Sequence, residues 1–350
     1  MSTTAFALAG LGGFNAHGAG FLAAASKCKI APDLVTATSG QIIVLAEWLQ
    51  GNDLEKSLVM PELEHNPIAQ LAIVLSGDPG VFRPAYPEML QRWMTPPPLK
   101  GNLLEAFFDR LLPAQLYVPT RPAADFSKIA KVFNDTSDMG IVFNAYNLKT
   151  GRAVLFGNPK AQSLWPAEKS NKAATRSVGE TDDAEAELAL LPITAEAIES
   201  ALWLSLYGFD HLPQPHLIDG AYDRSCIVAE LHKFDRIFVA RPLARGWLDK
   251  GGPNNWFEVQ DWQTEMWFSA GYKAEVDTLL QINGLIADKH LDPTKFKEVN
   301  LIEISPTRPA GYFHYFIERE SVFDGAYDKS VAAFEAEKVC RKKTPSSKNK

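Results

Sequence analysis

The sequence lacks the features that mark nucleic-acid-binding, zinc-binding and membrane-spanning proteins. Acidic residues outnumber basic ones, 42 to 35, so the chain has no overall positive charge with which to attract nucleic acid. Its three cysteines, Cys28, Cys226 and Cys340, are far apart and form no Cys-x-x-Cys pair. This predicts neither a zinc site nor a disulfide framework, and it fits a reducing compartment. No window holds the roughly 18 uninterrupted apolar residues of a membrane span.

A secretory signal is not predicted either. Residues 5–25 are small and apolar, but no Lys or Arg precedes Lys27, and five glycines, Asn15 and His17 interrupt the run. A signal peptide has a basic start followed by a continuous apolar segment. We therefore expect a cytoplasmic protein.

The composition is that of a globular protein, because 46% of the 350 residues are hydrophobic and 22% are charged. Near the N-terminus, strand and helix patterns alternate over residues 4–9, 16–29, 33–37 and 40–50, with a glycine loop at 10–13. This order predicts an α/β fold with parallel strands. Further strands are predicted over residues 140–147, 153–157, 216–218, 235–240 and 299–304, and further helices over 194–206 and 256–288.

No internal repeat or long linker divides the chain, so we predict a single α/β domain over residues 1–337. A mostly helical insertion is expected at about residues 53–135, where an apolar helix face could cap a groove or fill the core. A polar loop is expected over residues 158–190. A disordered basic tail is predicted over residues 338–350. This tail could contact anionic lipid or, more simply, keep the chain in solution.

The first segment with chemical potential is the glycine loop Ala9-Gly10-Leu11-Gly12-Gly13, between a strand and a helix. Such a loop can cradle a phosphate, direct backbone N–H groups at an oxyanion, or simply let a helix pack closely on a strand. The dinucleotide fingerprint fits poorly, because Asn15 stands where it has a small residue, and no Gly-Lys-Ser/Thr follows. The loop alone leaves its role open.

The second segment is Ala37-Thr38-Ser39-Gly40-Gln41, which leads from a strand into a helix. A serine at such a turn is a candidate nucleophile, because the sharp turn exposes its hydroxyl and the helix N-terminus favours negative charge. The usual pattern is Gly-x-Ser-x-Gly, and Ala37 and Gln41 depart from it. The alternative is that Ser39 only caps the helix.

The third segment is Asp219-Gly220-Ala221, directly after an apolar strand. A carboxylate at the end of a sheet strand lies where α/β enzymes place their catalytic groups. The alternative is an Asx-turn, in which Asp219 binds only its own backbone.

In this order the three segments resemble those of the patatin-like phospholipase family, which has a glycine-rich loop, a Gly-x-Ser-x-Gly turn and a later Asp-Gly-Gly/Ala. Residues 16–22 (AHGAGFL) and the strand pair at 143–151 are also similar to that family. The resemblance covers residues 5–50 and 139–305. It implies a three-layer α/β/α fold with a mainly parallel central sheet and a helical insertion.

The resemblance implies a serine acyl hydrolase that cleaves lipid carboxylic esters through an acyl-enzyme, with Ser39 as nucleophile and Asp219 as base. The implied oxyanion hole consists of loop residues Gly10, Leu11, Gly12 and Gly13. The implied nucleophile elbow is completed by Ala37, Thr38, Gly40 and Gln41. The base turn is completed by Gly220 and Ala221. No histidine, metal or organic cofactor is implied. The partner would be a lipid or ester substrate, with contact at a membrane or lipid surface as a further option.

Three departures from the family pattern matter. Leu11 replaces a loop glycine, and Gln41 replaces the last glycine of the elbow. The basic residue that often follows the loop is absent, and Phe14 and Asn15 stand there. A degenerate fold that binds lipid or a protein partner without hydrolysis is therefore the alternative hypothesis. A nucleotide-binding oxidoreductase, resting on the glycine loop, is a third. The sequence does not indicate the lipid class or the oligomeric state.

Overall fold

A computed structural model describes most of the chain. The described residues are 2–10, 15–59, 66, 68, 72, 75–77, 80–95, 104, 115–165, 190–243, 252–293, 296–306 and 319–339. Much of the predicted polar loop, part of the predicted helical insertion and nearly all of the predicted basic tail lie outside these ranges. The prediction of one domain over residues 1–337 stays a prediction.

The elements are numbered in chain order. The strands are β1 (Thr4–Leu8), β2 (Leu34–Ala37), β3 (Phe82–Pro84), β4 (Tyr117–Pro119), β5 (Gly140–Asn147), β6 (Arg152–Gly157), β7 (Leu191–Pro192), β8 (Leu217–Asp219), β9 (Arg236–Ala240) and β10 (Asn300–Ile304). The helices are α1 (Asn15–Cys28), α2 (Gln41–Leu49), α3 (Leu54–Leu58), α4 (Tyr86–Met94), α5 (Ala123–Asp135), α6 (Pro159–Leu164), α7 (Ala195–Ala201), α8 (Trp256–Ala287) and α9 (Arg319–Ala336).

The central sheet has the strand order β10-β9-β1-β2-β5-β6-β7, and β8 pairs with β5 outside this path. The five strands from β10 to β5 are parallel to one another. Strands β6 and β8 run antiparallel to β5. The prediction of an α/β fold with a mainly parallel central sheet is confirmed.

Alternating side chains of β1 enter two different cores, one on each face of the sheet. Phe6 and Leu8 pack with side chains of α1, α2, α5, α7 and α9. Ala5 and Ala7 face the opposite side, where Tyr272 of α8 is part of the core. Since successive strand residues point to opposite faces, this alternation places a helical layer on each side of the sheet. The three-layer arrangement follows from it.

Helix α1 is buried on two sides, which explains why its sequence is rich in Ala and Gly. One side packs on the sheet, where the rings of Phe21 and Phe6 have centroids 4.8 Å apart. The other side is crossed by α9. A Cβ at Gly20 would lie 2.2 Å from the carbonyl oxygen of Phe323, so only glycine permits this crossing.

Three local predictions need correction. The helix predicted over residues 194–206 begins as expected, with Thr194 as its N-cap, but ends at Ala201. The predicted helical insertion also contains the antiparallel pair β3–β4, whose three-residue strands are too short to show a period. Cys28 is disulfide-bonded, whereas no disulfide was predicted. Cys226 is free and buried, and Cys340 lies outside the described residues. No helix in the described ranges is long and apolar enough to cross a membrane.

Candidate active site

Ser39 lies in the tight turn between β2 and α2 and has a backbone conformation that few residues other than glycine adopt. Its φ is 55°, in the left-handed region, and its side chain is buried. The N-cap position of α2 is Gly40, and no side chain accepts a capping hydrogen bond from the first N–H groups of the helix, so Ser39 is not the helix cap. The Ser39 hydroxyl donates instead to Oδ2 of Asp219, at 2.5 Å. The turn therefore has the geometry of a nucleophile elbow.

Asp219 divides its two carboxylate oxygens between a local turn and the serine. Oδ1 accepts the backbone N–H of Ala221 at 2.8 Å, which forms an Asx-type turn, while Oδ2 accepts the Ser39 hydroxyl. The Asx-turn and the contact with the serine are thus present together. The backbone is held as well, because the Asp219 N–H donates to the carbonyl of Trp203 at 3.0 Å.

Burial controls the proton affinity of this carboxyl group. Asp219 is 1% exposed, and loss of solvation raises the pKa of its carboxyl to about 7, although hydrogen bonds from Ser39 and Ala221 act in the opposite direction. An aspartate with the ordinary pKa near 4 is a weak base. A pKa near the working pH is better suited to accepting a proton from a hydroxyl and returning it.

The pairing of β5 explains why residues 180 positions apart meet. Strand β6 covers one edge of β5. The other edge is shared by β2, which pairs as far as Phe143, and β8, which pairs from Ala145 onward. Because β2 runs parallel and β8 antiparallel to β5, their C-terminal ends point at each other across Asn144. Ser39 follows the end of β2 and Asp219 ends β8, so their side chains meet at this junction.

Gly10 allows the glycine loop to approach the serine turn. A Cβ at this position would lie 2.1 Å from the backbone oxygen of Thr38 and 2.8 Å from Cβ of Ser39. The N–H of Gly10 donates to the carbonyl of Ser225 at 2.8 Å, so it is not directed at an oxyanion. This corrects the expectation that the Gly10 N–H is an oxyanion donor. The role of Gly10 is to let the glycine loop lie close to the serine turn. The other predicted oxyanion residues, Leu11, Gly12 and Gly13, lie outside the described residues.

Gln41 fits at the last position of the elbow because α1 has a glycine opposite it. Its side chain is buried, and a Cβ at Gly18 would lie 1.8 Å from Gln41 Oε1. The departure from the usual glycine at position 41 is therefore matched by an absent side chain on the neighbouring helix. The larger residue does not distort the turn into another conformation, since Ser39 still reaches Asp219.

Asn144 connects the two turns, and the sequence motifs did not identify it. Its side chain is fully buried. Oδ1 accepts the Thr38 hydroxyl at 2.9 Å, and Nδ2 donates to the carbonyls of Gly220 at 3.1 Å and Arg224 at 2.9 Å. A polar residue inside the apolar strand sequence GIVFNAY was the one signal that could have found it, because buried amides need partners.

The segment that follows Asp219 is fixed by a cluster of charged groups. The Arg224 guanidinium makes two hydrogen bonds with Glu230, at 2.6 and 2.7 Å, and two with Glu275 of α8, at 2.6 and 2.9 Å. Glu275 also accepts the backbone N–H groups of Val228 and Ala229, both at 3.0 Å. Two-point pairing of this kind fixes orientation as well as charge, so the segment after Asp219 is anchored to α8.

His17 is the histidine nearest in sequence to the glycine loop, and it serves the core. Its ring is buried, and Nε2 donates to the carbonyl of Ile304 at 3.0 Å. Burial lowers the pKa of the imidazole to about 4. The ring is therefore neutral near pH 7 and ties α1 to the end of β10.

A small, mainly apolar cavity of about 10 Å³, little more than the space of one water molecule, lies beside Gly10. The charged residue in its wall is Arg241, whose guanidinium binds Glu303 and Ser269, both at 3.0 Å, and lies over the ring of Tyr272. The full lining is Ala9, Gly10, Ser225, Arg241, Pro242, Leu243, Phe268 and Tyr272. No group of three or more His, Cys, Asp or Glu side chains in the described part of the chain could hold a metal ion.

Comparisons with known proteins give distant likenesses only. No protein-family model and no curated protein sequence matches the chain. Among solved structures, it is similar to VipD from Legionella pneumophila, with 9% identity, a TM-score of 0.39 and coverage of 96% of this chain and 67% of that one. It is also similar to human GIVD cytosolic phospholipase A2 in complex with methyl gamma-linolenyl fluorophosphonate. The identity is 13%, the TM-score 0.35, and the coverage 97% of this chain and 58% of that one. Likenesses this weak carry no argument about function.

Proposed function

We propose that the protein is a serine acyl hydrolase that cleaves carboxylic esters of lipids, with Ser39 as the nucleophile and Asp219 as its base. The observation that carries the proposal is the 2.5 Å hydrogen bond from the Ser39 hydroxyl to a buried carboxylate. A serine in a left-handed turn, directly ahead of a helix and paired with a base, matches the requirements for an activated nucleophile.

In the first half of the reaction, the charged Asp219 takes the hydroxyl proton as Ser39 Oγ bonds to the ester carbonyl carbon. The carbonyl electron pair moves onto its oxygen and a tetrahedral intermediate forms. When the intermediate collapses, the bond to the alcohol breaks and Asp219 returns the proton to the departing oxygen. The products of this half are the free alcohol and an acyl group on Ser39.

In the second half, water replaces the alcohol. Asp219 takes a proton from the water as its oxygen bonds to the acyl carbon. Asp219 then returns the proton to Ser39 Oγ as the acyl–serine bond breaks and the carboxylic acid leaves. The partial positive charge at the N-terminus of α2 favours the oxyanion in both halves, and amides of the loop at 11–13 would supply its hydrogen bonds.

The substrate class is argued from the apolar wall beside Gly10. The charged side chain there, Arg241, already binds a carboxylate, and the remaining lining is mostly aliphatic or aromatic. The cavity is too small to hold an ester, so the proposal uses only the apolar character of this wall, which suits an ester with an apolar acyl or alcohol part better than a charged metabolite. Lipid esters are therefore the proposed substrates, with contact at a lipid surface as part of the proposal.

The proposal is tested by covalent labelling with an alkyl fluorophosphonate and by hydrolysis of p-nitrophenyl esters of increasing chain length. Ser39 should carry the label, and Ser39→Ala should lose both labelling and hydrolysis. Ser200→Ala is the matched control, because Ser200 is an equally buried serine in α7 and should not affect either result. Labelling that persists in Ser39→Ala would contradict the proposal.

A second candidate function is a binding protein that has kept the fold without hydrolysis. The burial of both Ser39 and Asp219 favours it, because a substrate carbonyl must reach the serine. This candidate predicts no labelling of the folded wild-type protein at any probe concentration, together with saturable binding of fatty acid or lysolipid.

A further inference from the structure

The side-chain amide of Asn144 makes three hydrogen bonds at the junction between the serine turn and the aspartate turn. Its Oδ1 accepts the hydroxyl of Thr38, the residue immediately before Ser39. Its Nδ2 donates to the carbonyl of Gly220, the residue immediately after Asp219, and to that of Arg224.

The fit around this amide is tight on the aspartate side. A Cβ at Gly220 would lie 2.4 Å from Cγ of Asn144 and 2.6 Å from Nδ2. Glycine at 220 is therefore required for the carbonyl to reach the amide. The base turn and Asn144 have to be placed together, since neither has room to move towards the other.

Only an amide satisfies this arrangement. The Thr38 hydroxyl needs an acceptor, and two backbone carbonyls need donors, which together match the oxygen and the NH₂ group of asparagine. A carboxylate of the same shape would direct an oxygen at two carbonyl oxygens. A leucine would leave all three partners unsatisfied in a buried site, where each unpaired group is costly.

We propose that Asn144 is a positioning residue that sets the separation of Ser39 and Asp219. This inference rests on the proposed function. The strands that carry the two turns come from opposite directions along β5 and do not pair with each other. Apart from the hydrogen bond between Ser39 and Asp219 themselves, the Asn144 side chain joins the two turns, so it fixes the relative position of two groups whose distance decides proton transfer. Misplacement of reacting groups by about 1 Å can lower a rate by about 100-fold.

The test uses near-isosteric substitutions on both sides of the junction. Asn144→Asp keeps the shape and removes the two donors. Thr38→Val keeps the shape and removes the hydroxyl, and Thr38→Ser restores it. Asn158→Asp is the matched control. Asn158 is also fully buried and donates to three carbonyls, those of Phe133, Thr136 and Met139, but it lies at the other end of β5.

Two readouts are compared on protein that is shown to be folded by circular dichroism. The first is kcat and KM with a p-nitrophenyl ester. We expect Asn144→Asp and Thr38→Val to lower kcat by about 10- to 100-fold with KM changed less than about twofold, and Thr38→Ser to recover most of the loss. Asn158→Asp should lower thermal stability and leave kcat unchanged. The second readout is the distance from Ser39 Oγ to Asp219 Oδ2 in crystals, which should lengthen by more than about 0.5 Å in Thr38→Val.

A wild-type kcat and an unchanged distance in Thr38→Val would overturn the positioning role. So would an equal loss of kcat in Asn158→Asp, because that result would indicate general destabilisation. If Asn144→Asp does not fold, the pair Thr38→Val and Thr38→Ser decides. If wild type neither hydrolyses esters nor is labelled, the proposed function fails, and the crystal distance still decides whether Asn144 sets the geometry.

Discussion

The side chain of Gln41 occupies the space that Gly18 leaves on helix α1. A Cβ at position 18 would lie 1.8 Å from Oε1 and 2.7 Å from Cδ of Gln41. Gln41 is almost fully buried and follows the serine turn by two residues, so it has little room to move aside. The position on α1 and the last position of the elbow therefore depend on each other.

Gly18→Ala should destabilise the protein by about 1–3 kcal/mol, as expected for an overpacked core, and should lower ester hydrolysis because Gln41 presses on the turn. In a Gln41→Ala background, Gly18→Ala should lower the free energy of unfolding by less. Urea unfolding of the four proteins of this double-mutant cycle measures the coupling.

The control for this cycle is Gly325→Ala. Gly325 is a glycine inside α9 with nothing within 4 Å of an added Cβ. It should be neutral or stabilise the protein by about 0.5–1 kcal/mol, as alanine does in an open helix position. Equal losses at Gly18 and Gly325, or strict additivity of the Gly18 and Gln41 substitutions, would contradict the contact.

The pH profile of hydrolysis should follow the ionisation of Asp219. Burial raises the pKa of its carboxyl to about 7, and only the charged form can accept the serine proton. We therefore expect kcat/KM to rise with pH up to about 7 and then to level off, since kcat/KM reports groups of the free enzyme. His17 cannot cause this rise of kcat/KM up to pH 7, because burial lowers the pKa of its imidazole to about 4. A profile that stays flat from about pH 5 to 7 would exclude Asp219 as the base.

Asp219→Asn should abolish hydrolysis and make the protein more stable above pH 7. The folded protein binds the Asp219 proton more tightly than the unfolded chain does, because the pKa of the carboxyl is raised from about 4 to about 7. The stability that the protonated Asp219 carboxyl gives to the folded protein is thus complete below pH 4 and is lost as the pH rises through 7. Asparagine resembles the protonated form at every pH. The increase in the free energy of unfolding of Asp219→Asn over wild type, at most about 4 kcal/mol, should appear in urea unfolding at high pH and vanish at low pH.

Asp235 provides a control of opposite sign. Its hydrogen bonds from Lys297 and from Thr3 lower the pKa of its carboxyl. The stability that it contributes is present above its unfolded pKa near 4 and is lost as the pH falls through the lower folded value. Asp235→Asn should therefore destabilise the protein at neutral pH without affecting hydrolysis. If both substitutions change stability in the same direction at pH 8, charge burial is not the cause.

The order of the main strands and helices could be predicted from the sequence because the signals are local. The strand 4–9, the glycine loop and the small-residue helix are readable from a short window, and β1 and α1 follow them closely. Local signals placed Ser39 and Asp219 next to apolar strands but left the role of each open, and only the resemblance to the patatin-like phospholipase family joined them as a predicted pair. The distance of 2.5 Å between Ser39 Oγ and Asp219 Oδ2 could not be predicted, because it arises where β2 and β8 meet along one edge of β5.

Features that depend on pairs of distant residues were not predicted. Gln41 looked like a defect of the elbow because its complement, Gly18, lies on another element. Asn144 carries no motif, since its partners are a hydroxyl and two backbone carbonyls that only the folded chain brings together. In the same way, Gly10 matched a donor pattern, but its N–H is used by Ser225, more than two hundred residues away.

The last prediction concerns the anchor of the base turn. Arg224→Gln should destabilise the protein by about 3 kcal/mol, because it leaves Glu230 and Glu275 largely buried without their partner. Arg83→Gln is the matched control. Arg83 also pairs with a glutamate, Glu88, but both side chains are more than a third exposed, and such pairs contribute less than about 1 kcal/mol.

The same substitution should reduce hydrolysis in protein that remains folded. The carbonyl of Arg224 accepts a hydrogen bond from Asn144, so a looser segment after Asp219 is a looser base turn. Arg224→Gln should therefore lower kcat as well as stability, whereas Arg83→Gln should change neither. Loss of stability with full kcat would mean that the charged cluster supports the fold and that the hydrogen bonds of Asn144 hold the turn without it.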